Sequence, residues 1–169
     1  MEIETPAGLS EQEPQACPMP SATHLPEDED LITLLAQARS VAVVGASPSD
    51  HRTSYAIATW LMARTPYEIY LVNPVAQGQE IRGHGFYDSL DQLPVTPDIV
   101  DVFRRSEHVP AVAQEAIDAG AGALWLQLGV VNEDAAHCAR AAGLSVVQNH
   151  CLKVEYERLR SRIEEAAAP

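Results

Sequence analysis

The sequence is short of lysine, cysteine and long apolar runs, and each shortage excludes a class of function. Lys153 is the one lysine among 11 basic residues, these face 24 acids, and the net charge is −13. A chain that binds nucleic acid needs many cations on one face to meet the phosphate backbone, so nucleic acid is not an expected partner. The mean hydropathy is −0.11, and no apolar stretch approaches the roughly 20 residues that span a bilayer. A membrane is therefore not expected as a partner either. The first residues carry Glu2, Glu4, Glu11 and Glu13 with no basic or apolar segment. No secretory signal is read there, and a cytoplasmic location is the expectation. Cys17, Cys138 and Cys151 lie far apart with no CxxC pair, a spacing that suits reduced thiols better than a disulfide framework or a zinc ribbon. The six histidines form no HxH or HExxH spacing, so no metal site is expected. There is no GxSxG elbow for a hydrolase, and no acidic pair after the first strand for a phosphoacceptor.

What is present divides unevenly. Residues 1–30 hold eight acids, no Lys or Arg, and five of the twelve prolines. Little there can be buried, so this stretch reads as a disordered acidic leader. Residues 31–169 are long enough for one domain with a core. Apolar, β-branched runs at 41–44, 68–72, 99–103, 123–126 and 144–147 alternate with helical periodicity at 31–39, 54–64, 109–120, 133–143 and 152–167. Gly120 and Gly143 fall where two of these helices should end. Residues 74–97, rich in glycine and proline, read as an excursion with a short strand around Ile81 and a helical turn near 88–93. Strands apolar on both faces and joined by helices describe an α/β, Rossmann-like doubly wound fold with a five-stranded, mainly parallel sheet.

Small molecules bind such sheets beyond the carboxyl ends of the strands. The first turn there is Gly45-Ala46-Ser47, followed by a helix whose N-terminus points at the same spot. The turn reads either as an anion site or as a tight turn capped by Ser47, since it has one glycine of the GxGxxG pattern. The second strand ends in Asn73-Pro74, where an NAD site usually places a carboxylate. The third ends in Phe103-Arg104-Arg105. With Arg52, that pair offers charge-assisted bonds to a polyanionic nucleotide, or else salt bridges to Asp101, Glu107 or Asp50. Gln127 closes the fourth strand and either binds a ligand or ties loops together, while Trp125 reads as core. Cys151 follows the last strand near the same crevice, as an inert thiol or one that meets a ligand thiol.

The runs Val-Val-Gly-Ala-Ser at 43–47, Val-Asn-Pro at 72–74, Asp-Ile-Val-Asp-Val-Phe-Arg-Arg at 98–105 and Leu-Trp-Leu-Gln-Leu-Gly-Val-Val-Asn-Glu at 124–133 resemble the small stand-alone bacterial CoA-binding proteins, over about residues 31–160. Those proteins are similar in fold to the CoA-binding domain of the succinyl-CoA synthetase alpha chain. The resemblance implies that residues 31–169 bind coenzyme A or an acyl-CoA, with the pyrophosphate over the first turn and the adenosine end between that turn and the later strand ends. It gives binding roles to Gly45, Ala46, Ser47, Arg52, Ser54, Asn73, Pro74, Phe103, Arg104 and Gln127, and it implies no catalytic residue. The alternative on the same fold is an NAD(P)-dependent oxidoreductase. Two features depart from the family. Asn149-His150-Cys151 stands where related sequences commonly read Asp-Arg-Cys, and the acidic leader lies outside the resemblance. The chain also lacks the synthetase's phosphorylated-histidine domain and its nucleotide-grasp half.

Overall fold

A computed structural model describes residues 26–169. The leader expectation therefore lies outside the described residues, except that helix α1 (Asp28–Gln37) already begins inside it. Glu27 and Asp30 form a reciprocal capping box at the start of α1, and three acids occupy its first turn, where the helix dipole favours them.

Five strands, β1 (Ser40–Val44), β2 (Glu68–Val72), β5 (Ile99–Val102), β6 (Ala123–Leu126) and β7 (Ser145–Val147), run parallel in the spatial order β2-β1-β5-β6-β7. The sheet has seven strands rather than five, because β3 (Glu80–Ile81) and β4 (His84–Tyr87) extend it beyond β2. Strand β4 pairs parallel to β2, and β3 pairs antiparallel to β4. Arg82 and Gly83, at φ 50° and 83°, make the two-residue turn of that hairpin. Positive φ at both positions is the turn geometry that matches strand twist. His84-Gly85 opens β4 on exposed ground, so no apolar run announces the strand in the sequence.

Alternate side chains of each central strand enter different layers. Val41, Val43, Ile99 and Trp125 lie under α1, α2 (Thr53–Arg64) and α5 (Leu152–Ala167). Ala42, Val44, Val100, Val102 and Leu126 lie under α3 (Val109–Asp118) and α4 (Glu133–Ala141). Both faces are buried, which is why these strands read as continuous apolar runs. Arg158 of α5 ties down α1, donating to Asp28 at 2.9 and 2.7 Å while also holding Glu155 at 2.6 Å. Among the described residues no helix is long and apolar enough to cross a membrane. Cys151 is a free thiol.

Candidate functional site

Strand β1 has β2 on one side and β5 on the other, so the connections after β1 and β5 leave toward opposite faces of the sheet. That reversal opens a crevice beyond their carboxyl ends. Gly45 stands at its centre. Its N–H donates to the Val72 carbonyl at 2.9 Å, and the Phe103 N–H donates to the Val44 carbonyl at 2.8 Å, so the turn is sewn to both neighbouring strands. Gly45 has φ +82°, and a Cβ there would lie 2.8 Å from the Phe103 carbonyl oxygen and 3.2 Å from Arg104 Cδ. Glycine is thus required twice, by the left-handed backbone and by the close approach of β5's exit. The aliphatic stem of Arg104 passes directly over the first turn.

The rest of the turn is braced from within. The Ser47 N–H donates to Ser54 Oγ at 3.1 Å, and Ser47 Oγ accepts from the Ser49 N–H at 3.2 Å. Asn73 donates through Nδ2 to the Ala46 carbonyl at 2.8 Å and accepts the Val75 N–H on Oδ1 at 3.2 Å. Asn73 therefore shapes the turn, and its amide is spent on protein. The N–H groups of Ala46, Thr53 and Ser54 have no partner among the described residues. They sit in the turn and at the N-terminus of α2, a twelve-residue helix whose N-cap residue, Arg52, is exposed and makes no capping bond. Unanswered amides beside an arginine are the groups with which proteins meet anions, though Ala46 and Ser54 are themselves buried, at 0% and 4% exposure.

Arg104 and Arg105 make no ion pair among the described residues. Of the acids read as their possible partners, Asp50 lies 3.4 Å from His51, and Glu107 lies 3.4 Å from His108. The third, Asp101, points into the sheet's interior and is 0% exposed. The Arg104 charge does reach Glu115 of α3, where it opposes the upward push of burial and of Asp91 on that carboxyl.

The β6 and β7 exits are laced together. Asn132 caps α4 through the Ala135 N–H at 2.9 Å and donates through its side chain to the Ser106 carbonyl at 3.2 Å. Asn149 Oδ1 accepts the Gly129 N–H at 2.7 Å, and Asn149 itself adopts φ 57°, a left-handed conformation that asparagine tolerates better than most residues. Pro74, with Val75 at 85% exposure, and Leu128 at 72% offer apolar surface on the same rim. Phe103 is half-buried against the α2/α5 layer.

Sequence reasoning missed the role of Asp101. This carboxyl is the third residue of β5, in register with Val43 and Trp125. Gln127 Nε2 donates to its Oδ1 at 2.8 Å, and its Oδ2 is buried without a partner. Burial pushes the Asp101 carboxyl up to about 7, against the opposing pull of the Gln127 bond. The signal was legible as one charged residue within Ile-Val-Asp-Val, an otherwise apolar central strand. Gln127 is 5% exposed, so it belongs to the floor of the crevice and not to its mouth.

A second cleft of about 510 Å3 lies at the opposite end of the sheet between α1 and β7, lined among others by Leu31, Leu34, Asp98, Arg140 and Val146. It lies at the strand entrances, away from the exits where Gly45, Phe103 and Arg104 meet. Among the described residues no group of three or more His, Cys, Asp or Glu could hold a metal ion.

Comparison with known proteins concurs on the architecture and adds a ligand class. Residues 39–157 match the model of a family described as a CoA binding domain. The Bacillus subtilis (strain 168) protein YneT, described as uncharacterized, is 36% identical over 131 residues, which is 78% of this chain and 95% of that one. A hypothetical protein from Pyrococcus horikoshii OT3 superposes with a TM-score of 0.76 at 31% identity, covering 83% of this chain and 99% of its own. A Thermus thermophilus protein does so with a TM-score of 0.75 at 33% identity, covering 79% and 98% respectively.

Proposed function

This chain belongs to the CoA-binding domain family, and from that premise we propose that residues 31–169 are a binding module for coenzyme A or an acyl-CoA, with no chemistry of their own. The observation that carries the reading is the row of unpartnered amides at Ala46, Thr53 and Ser54, with the Arg104 stem drawn across Gly45 beside them. The pyrophosphate lies over this turn, held by those amides, by Arg104 and by Arg52. Ser47 acts mainly by shaping the turn, since its N–H and Oγ are bonded within it. Pro74 and Phe103 supply flat apolar surface for the adenosine end, and Asn73 and Gln127 hold the walls.

The nicotinamide reading is weaker at the same positions. An NAD site uses a carboxylate at the end of the second strand to bind ribose hydroxyls, and here Asn73 gives its amide to Ala46 and Val75. Thermal unfolding with coenzyme A, acetyl-CoA, NAD and NADP separates the two. A ligand at 100 times its dissociation constant stabilises by about 2.7 kcal/mol, so coenzyme A should raise the melting temperature clearly and the dinucleotides should not. A shift with NAD and none with coenzyme A would reverse the assignment.

A further inference from the structure

The crevice floor contains a charge that the fold does not answer. Asp101 pairs in register with Val43, two residues before Gly45, and lies two residues before Phe103, whose carbonyl abuts Gly45 at 2.8 Å from the position of a Cβ. The strands on either side present only Val43 and Trp125 at its level. Gln127 answers one oxygen and nothing answers the other, although both lie out of reach of water. A fully buried carboxylate without a cation is costly, and the cost rises further if an anion is held above it. Conversely, a neutral carboxyl there removes a buried negative charge that opposes a polyphosphate at this turn, leaving the exposed Asp50 and Glu107 to solvent screening.

Resting on the coenzyme A reading above, we propose that Asp101 is a positioning residue of the site: it anchors Gln127 in the floor and makes binding of the phosphorylated ligand depend on a proton held by its own carboxyl. Binding then takes up a proton, and the occupied site holds that proton more tightly than the empty one, as reciprocal linkage requires. The burial that raises the Asp101 carboxyl to about 7 puts this exchange in the neutral range. Other ionisable groups stand around the rim. His51 and Arg52 lie in the first loop, Arg104, Arg105 and His108 lie after β5, and His150, Cys151 and Lys153 lie at the start of α5. The terminal phosphate of the ligand gains charge near pH 6 and acts in the opposite direction to Asp101. All of these persist when Asp101 alone is replaced, so the difference between parent and Asp101→Asn isolates the floor.

The test is calorimetric titration of the full chain with coenzyme A between pH 6 and 8.5, in two buffers of different ionisation enthalpy. The parent should lose about tenfold more affinity across that range than Asp101→Asn. Near pH 7.5 the parent should take up part of a proton on binding that the variant does not. Matching pH profiles and equal proton uptake would overturn the role of Asp101 while leaving coenzyme A binding intact; no binding by the parent at any pH would instead remove the reading on which it rests. Should the variant fail to fold, 13C NMR of labelled aspartate in the parent decides the matter. The carboxyl that titrates near 7 must move to higher pH when coenzyme A is added, and an unmoved midpoint would refute the coupling.

Discussion

Two aspartates mark strand β5, Asp98 just before it and Asp101 as its third residue, and they are treated in opposite ways. Asp98, at the entrance, accepts on Oδ2 from the Arg39 N–H at 2.8 Å, the Ser40 N–H at 3.0 Å and Ser40 Oγ at 3.1 Å, and its own N–H returns a bond to Ser40 Oγ at 3.1 Å. Asp101, three residues on, has Gln127 and nothing else. The glycines repeat the contrast. Gly122 at the entrance and Gly45 at the exit would each bring a Cβ within 2.8 Å of a β5-flanking carbonyl, of Asp98 and Phe103 respectively. A glycine pressed against a neighbouring strand is therefore a packing device at both ends and is not by itself evidence of a ligand. What separates the ends is satisfaction: the entrance closes its polar groups, while the exit leaves amides, guanidinium groups and a carboxyl oxygen open.

The largest effect that can break this comparison is the pH dependence of stability. Burial raises the Asp101 carboxyl to about 7 from 3.8, so between those values the folded chain keeps a proton that the unfolded chain has released. The associated stability is complete below about pH 4 and is lost as pH rises through about 7, a change on the order of 4 kcal/mol. Urea unfolding at intervals from pH 4 to 8 should show the parent losing stability relative to Asp101→Asn over that window. Parallel curves would mean that Asp101 is answered by a partner after all, and the two aspartates would no longer differ in kind.

The glycine pair gives a smaller but cleaner contrast. Gly45→Ala meets both a left-handed backbone and a carbonyl clash, together costing about 2–4 kcal/mol. Gly122→Ala meets only the clash, at about 1–3 kcal/mol. Both variants should unfold at lower denaturant, but only Gly45→Ala should weaken coenzyme A binding, because only it displaces Phe103 and Arg104 over the turn. Equal affinity losses in the two would show that binding responds to general loosening of β5 and not to the exit turn.

The order of strands and helices was legible because every central strand is buried on both faces and reads as an unbroken apolar run, with Gly120 and Gly143 at φ 71° and 94° just past the helix ends. The β3–β4 hairpin was only half legible. Ile81 is buried and reads as strand, whereas His84 and Gly85 carry no β signal and pair because the Arg82-Gly83 turn brings them back. At the site, sequence located the strand exits but not the division of labour among them. Asn73 and Ser47 stand where ligand contacts were expected, yet their bonds run to the protein, a fact that depends on which backbone groups the fold brings within 3.2 Å. Asp101 was read as a possible partner for the arginines, since composition cannot tell a buried carboxyl from an exposed one when Arg104 follows only three residues on.

The smallest expected effect sharpens the exit alone, by setting Arg104 against its neighbour. Arg104 is half-buried with its stem over Gly45, while Arg105 is exposed and opens the short turn Ser106–His108. Arg104→Ala should lower affinity for coenzyme A about tenfold and flatten its dependence on salt, because a charge-assisted bond to a phosphate is lost there. Arg105→Ala should change both far less, since an exposed side chain interacts with the ligand through screened solvent. Losing Arg104 also frees Glu115 from the one cation acting on it, which adds negative field near the turn and pushes in the same direction. Calorimetry at two ionic strengths reads both the loss of affinity and the flattening of the salt slope. Equal behaviour of the two arginine variants would make the pair a diffuse positive field and would leave the amides of the first turn to hold the phosphates unaided.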